Sequence, residues 1–112
     1  MRRLQVVHSI FCLVMLLAAS TLVKAEGSGA ATYKSKCVIC HGSDGTGNTP
    51  LGKQLQAANL RSKDVQKKTD AELTKVVHDG EANMPPFGEQ LSDDEIAQVV
   101  KYVRSLGKVA KK

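Results

Sequence analysis

Cys37-Val38-Ile39-Cys40-His41 is the stretch that decides how this chain folds. Two thiols three positions apart, with an imidazole directly after the second, form the attachment pattern of a covalently bound, c-type haem. On one helical turn both sulfurs can reach the two vinyl groups of a porphyrin. The side chain that follows is then turned under the ring, where its nitrogen can bind iron.

Two other uses of a Cys-x-x-Cys pair stand beside this one. A thiol–disulfide site wants a βαβ setting, and the chain shows no strand pattern. A zinc site wants four ligands, and His41 with His78 would be an odd complement to two such close cysteines.

The flanks of the motif set its context. Residues 1 to about 25 read as a cleavable export signal. Arg2 and Arg3 open it, an apolar run from Ile10 to Val23 follows, and Val23-Lys24-Ala25 offers short side chains for cleavage. The bland alternative is a retained anchor, but the apolar run is short of the roughly 20 residues a span needs. Cys12, preceded by Ser9, Ile10 and Phe11, lacks the small residues of a lipid-attachment site.

Removing residues 1–25 also changes the charge. The chain has 16 Lys+Arg and 11 Asp+Glu; taking away Arg2, Arg3 and Lys24 leaves 13 against 11, a net +2. The high isoelectric point thus belongs largely to the export segment. No basic stripe with interleaved aromatics points to nucleic acid.

The mature part has 87 residues, no Trp, and only Tyr33, Phe87 and Tyr102 as aromatics. Such a core is marginal alone, and small domains usually need a staple. A disulfide between Cys37 and Cys40 closes too small a loop to stabilise much. A large apolar macrocycle held covalently would complete the core.

Three helices are expected. The first runs from about Ser28 to Cys40, with Gly29, Tyr33 and Cys37 on one face; Gly29 suits a close helix crossing. Residues 42–60 read as a loop rich in glycine, with a short helical turn near 53–58. A capping box, Thr69 to Glu72, starts the middle helix, which ends near Asp79 and Gly80 and buries Leu73, Val76 and Val77. A second box, Ser92 to Glu95, starts the last helix. Ile96, Val99, Val100, Val103 and Leu106 form its buried stripe, and Gly107 should end it. The domain therefore spans 26–107, with a basic tail at 108–112.

An iron held by His41 needs a ligand on its other face. Met84, in Asn83-Met84-Pro85-Pro86-Phe87, is the candidate, because Pro85 and Pro86 stiffen the segment that presents it. A gap-filling core methionine is the alternative. His78 competes for the iron, but lies just outside the apolar stripe of the middle helix.

At this point the chain resembles the small class I cytochromes c, especially the short soluble bacterial and photosynthetic monohaem types, over essentially residues 27–107. Cys37–His41 matches the haem-attachment motif. Gly29 to Tyr33 is similar to the family's glycine and aromatic pair that crosses the C-terminal helix, where Tyr102 matches the aromatic partner. Asn83 to Phe87 resembles the axial-methionine loop. Pro50 resembles the proline whose carbonyl accepts the proximal histidine's ring N–H.

The resemblance implies an all-α fold wrapped around one covalent haem c, with terminal helices crossing. It implies a one-electron carrier, not an enzyme, working outside the cytoplasm in a periplasm or thylakoid lumen. It would be a monomer, not integral to a membrane after signal cleavage, docking weakly with redox protein partners. Lys34, Lys36 and Lys53 could steer acidic ones. The rival readings are an electron-entry subunit of a larger oxidoreductase, or a haem sensor or peroxidase-like protein if the sixth ligand is labile.

Overall fold

The computed structural model describes residues 28–109, so the expected export signal at 1–25 and the last three residues of the expected tail lie outside the described part. Among the described residues six helices follow in order: α1 (Ser28–Lys36), α2 (Val38–His41), α3 (Pro50–Leu55), α4 (Lys63–Gln66), α5 (Asp70–Asp79) and α6 (Asp93–Val109). Among the described residues no helix is long and apolar enough to cross a membrane. Among the described residues the only strand-like feature is an isolated antiparallel bridge between Glu81 and Met84. The fold is all-α.

Local chemistry starts the two long helices where the sequence says. Thr69 N–H donates to the Glu72 carboxylate at 2.7 Å, and Glu72 N–H donates to Thr69 Oγ1 at 3.1 Å. These bonds hold the Glu72 carboxyl below the usual carboxylate range. Ser92 and Glu95 repeat the exchange at 2.8 and 3.2 Å. Each box satisfies two amide donors that a helix start would otherwise leave open.

The core forms where α6 meets its neighbours. Ile96, Val99, Val100, Val103 and Leu106 are all buried, Ile96 completely. Leu91, just ahead of the Ser92 cap, is buried in the same cluster. Most of this cluster is supplied by one amphipathic face at helical spacing.

α1 crosses α6 with almost no gap. A Cβ built on Gly29 would collide with the Gln98 backbone carbonyl, which is the close approach expected of that glycine. One turn further on, the Tyr33 and Tyr102 rings sit 4.9 Å apart, tilted by 46°. Tyr33 is only 1% exposed. Its hydroxyl donates to the Gly42 carbonyl at 2.7 Å, so the crossing also grips the residue after His41.

Four details differ from expectation. The first helix bends at Cys37 before continuing to His41. The short helix in the loop starts at Pro50, not at 53, because Thr49 caps it and proline fits a first helical position. α4 was not anticipated at all. Gly107 does not stop α6, which runs on through Lys108 to Val109. Its missing side chain instead makes room for the Gln66 carboxamide, whose Nε2 donates to the Leu60 and Val103 carbonyls at 2.7 and 3.1 Å.

Arg104 holds the same region from the other side. Its Nε donates to Asp70 Oδ1 at 2.9 Å, its Nη1 to the Gln66 carbonyl at 2.8 Å, and its Nη2 to the Lys68 carbonyl. The guanidinium thus satisfies carbonyls at the end of α4 while holding the start of α5. Arg104→Ala removes several charge-assisted bonds at once and should lower stability by about 2 kcal/mol. For a domain of this size that is a fall of roughly 10 °C in Tm, readable by circular dichroism. Lysine, a single point donor, should restore little of it.

Candidate cofactor site

α2, α3, α5 and the segment 81–87 enclose a cleft of about 500 Å³ that opens to solvent. This lies within the 300–1,000 Å³ typical of cofactor sites. Cys37, Cys40, His41 and Met84 all line it, among apolar walls that include Leu60, Leu73, Val76 and Phe87. Leu73 is buried, while Val76 is only half-buried in the cleft wall and Val77, also half-buried, packs against the core cluster.

His41 is the most constrained of the four. It is 8% exposed, and its Nδ1 lies 3.0 Å from the Ala58 carbonyl. A carbonyl can only accept, so Nδ1 carries the hydrogen and the neutral ring keeps its lone pair on Nε2. An N–H bonded to a carbonyl is the usual way a metal-binding histidine is oriented and made more basic.

Met84 is half-buried and held in a tight turn. Met84 N–H donates to the Glu81 carbonyl at 2.8 Å, and Glu81 N–H donates to the Met84 carbonyl at 3.2 Å. Behind the turn, the Phe87 and Gly88 amides donate to the Val77 and His78 carbonyls, each at 3.0 Å. The segment is thereby fixed to the end of α5.

The chemistry of this donor set fits a porphyrin better than its rivals. Burial, then the neighbouring Cys40, pushes the Cys37 thiol up to about 11. A thiol of that kind stays protonated at neutral pH, the opposite of what a thiol-redox catalyst needs. Among the described residues no group of three or more His, Cys, Asp or Glu converges to hold a bare metal ion. His78 does not line the cleft. It is half-exposed, with Nδ1 donating to Asp79 Oδ1 at 2.7 Å, and Asp79 is held below the usual carboxylate range chiefly by Lys75.

The family model described as "Cytochrome C oxidase, cbb3-type, subunit III" matches residues 24–103. Cytochrome c6 of a Picosynechococcus species is 27% identical over 105 residues, covering 89% of each chain. Cytochrome c6 of Bryopsis maxima is 32% identical over 80 residues, covering 67% of this chain and 84% of its own. A solved structure titled "KustC0563 c-type cytochrome" superposes with a TM-score of 0.64 at 32% identity, covering 70% of this chain and 95% of its own.

The chain belongs to the class I cytochrome c family. This cytochrome is a monohaem electron carrier, and its cofactor is covalently bound haem c.

One expectation about the cytochrome's site is corrected. Pro50 does not hold the histidine ring; the Ala58 carbonyl does. Pro50 is the first residue of α3, and helix geometry commits its carbonyl to the helix axis. The chain then leaves α3 through Gln56, in the left-handed region at φ 57°, and two residues later the Ala58 carbonyl meets His41. No side chain encodes that contact, so the sequence carries no signal for it.

Thr49 was also missed. Its hydroxyl donates to the Ile39 carbonyl at 2.8 Å, lies 3.1 Å from the Cys40 carbonyl, and accepts from Gly52 N–H at 2.8 Å. The signal was present, since Thr before Pro is a helix-start signature. Its second role, facing the end of α2, is tertiary. Burial pushes the pKa of the Tyr33 hydroxyl upward.

Proposed function

We propose that Cys37 and Cys40 carry the haem through thioethers and that His41 and Met84 bind its iron from its two faces. The observation that carries this is the convergence of all four side chains on one apolar cleft. When bound, haem c supplies an iron that cycles between its ferrous and ferric states.

The chain's own work is to hold geometry. Ala58 fixes the His41 ring and leaves Nε2 as its free donor. Tyr33 and Thr49 hold the backbone on either side of His41. The turn at 81–84 and the restricted Pro85-Pro86 backbone present the Met84 sulfur with little freedom to lose. The apolar walls favour an apolar macrocycle over water. With His41 and Met84 both holding the iron, the chain would leave no site open to a substrate, which favours electron transfer over oxygen or peroxide chemistry.

The protein acts outside the cytoplasm, after removal of residues 1–25, as a monomer. Its redox partners dock weakly and transiently, through a small interface sensitive to salt. Ile39, 65% exposed in the cleft wall, offers such an interface an apolar contact beside exposed Lys36.

The cbb3-type family description supports a second reading, an electron-entry subunit of a larger oxidoreductase. The match to cytochrome c6 over 89% of both chains supports the free carrier. Carbon monoxide added to the reduced, purified protein separates closed from open haem sites, and a potentiometric titration checks that one electron is carried. The closed site gives a one-electron curve, and carbon monoxide leaves the ferrous spectrum unchanged. A prompt carbon monoxide adduct would instead establish the sensor or peroxidase-like alternative. Migration only within a larger complex after periplasmic extraction would establish the subunit.

A further inference from the structure

α3 makes a hydrogen-bonded connection at each of its ends, and the two lead to different sides of the cleft. At the N-terminal end Thr49 is bonded to the carbonyls of Ile39 and Cys40, inside the attachment motif. Gly52 rests so closely on the Cys40 carbonyl that no side chain fits between them. At the C-terminal end the Leu55 carbonyl accepts from Asn83 Nδ2 at 3.0 Å. Asn83 immediately precedes Met84.

Both partners in that last bond need it. The final carbonyls of a helix have no intrahelical donor, so Leu55 offers an open acceptor. The turn around Met84 places Ala82 at φ +50°, a left-handed conformation that an alanine resists and that persists only when its surroundings impose it. Among the described residues, Asn83 makes the only side-chain hydrogen bond from residues 81–84. The backbone bonds of Gly80, Phe87 and Gly88 fix this segment to α5; among the described residues the Asn83 side chain is what bonds it to α3.

We propose that α3 is a strut between the two halves of the site, with Asn83 as its latch: the Asn83–Leu55 bond controls how readily Met84 leaves its place in the cleft. Asn83 is thus a positioning residue, acting through Met84. The inference rests on Met84 being the sixth ligand, as proposed above.

The test uses the full holoprotein. Cyanide binding to the ferric form is followed by stopped flow, with the sulfur-to-iron absorption band recorded first. Asn83→Ala should bind cyanide about fivefold faster than the natural protein, the scale of one lost neutral hydrogen bond. Asn83→Gln, which keeps an amide donor, should recover most of the difference. Thr49→Val, which cuts the other end of the strut, should also accelerate binding, while Thr49→Ser should not. Exchange of the Met84 amide hydrogen should quicken in step in Asn83→Ala.

Arg104→Ala loosens the fold away from the strut and should leave the cyanide rate unchanged. Equal acceleration in that variant would mean general destabilisation and would overturn the latch. Natural-protein rates in Asn83→Ala and Thr49→Val, with the sulfur band intact, would overturn it while leaving Met84 as ligand. Absence of the band from the natural protein would remove the ligand reading, and the latch with it.

Discussion

Met84→Ala will open a closed site. The ferric protein should lose its sulfur-to-iron band, and the ferrous protein should take up carbon monoxide that the natural protein excludes. The reduction potential should fall by on the order of 0.1–0.3 V, because a thioether favours ferrous iron and axial ligands set haem potentials over about 0.8 V. Met84→His should keep both positions filled yet also lower the potential. These outcomes separate a ligand from a packing residue. A methionine that merely filled a gap would cost at most a few kcal/mol of stability on truncation, with spectrum and potential unmoved. Met84 is only half-buried, so even that cost would be small.

Replacing both Cys37 and Cys40 with serine in a host that matures such proteins should have the larger consequence: loss of the fold itself. The two side chains belong to the wall of a cleft of about 500 Å³. At roughly 24 cal/mol per Å³, an empty space of that size would cost on the order of 10 kcal/mol. Because the cleft opens to solvent, this is an upper bound, but the entire stability of a domain this small is about 4–12 kcal/mol. Leu73, Val76 and Leu60 would be left facing water, and the small core on α6 could not compensate. The variant should carry no covalent pigment, show reduced helical circular dichroism and lack a cooperative thermal transition. A colourless variant that melts cooperatively near the natural Tm would show that the polypeptide core suffices without the macrocycle.

What the sequence made legible was local. The Thr69–Glu72 and Ser92–Glu95 boxes lie within single turns, so their chemistry can be read directly from neighbouring residues. The stripe Ile96 to Leu106 repeats long enough to declare its face. The crossing at Gly29 and Tyr33 was legible through resemblance, and the packing of Gly29 on Gln98 gives its physical reason.

What was not legible depended on where the chain returns. α3 and α4 have six and four residues, too few for a periodic pattern to emerge among glycines and polar side chains. Gly107 carries the same letter whether it ends a helix or admits a neighbour; only the fold, bringing Gln66 against it, decides. The partner of the His41 ring is a backbone carbonyl, which every residue possesses, so Pro50 and Ala58 could not be told apart by composition. Asn83 and Leu55 lie 28 residues apart, and neither is unusual until the fold brings them together.

The proposal that His41 and Met84 hold the haem iron makes one demand on the finished protein: the chain itself would supply both of the iron's protein ligands. The optical spectrum of the purified ferric holoprotein at neutral pH tests this most directly. The account predicts low-spin iron with the weak long-wavelength band of sulfur bound to ferric iron. A high-spin spectrum, or a low-spin one without that band, would contradict it.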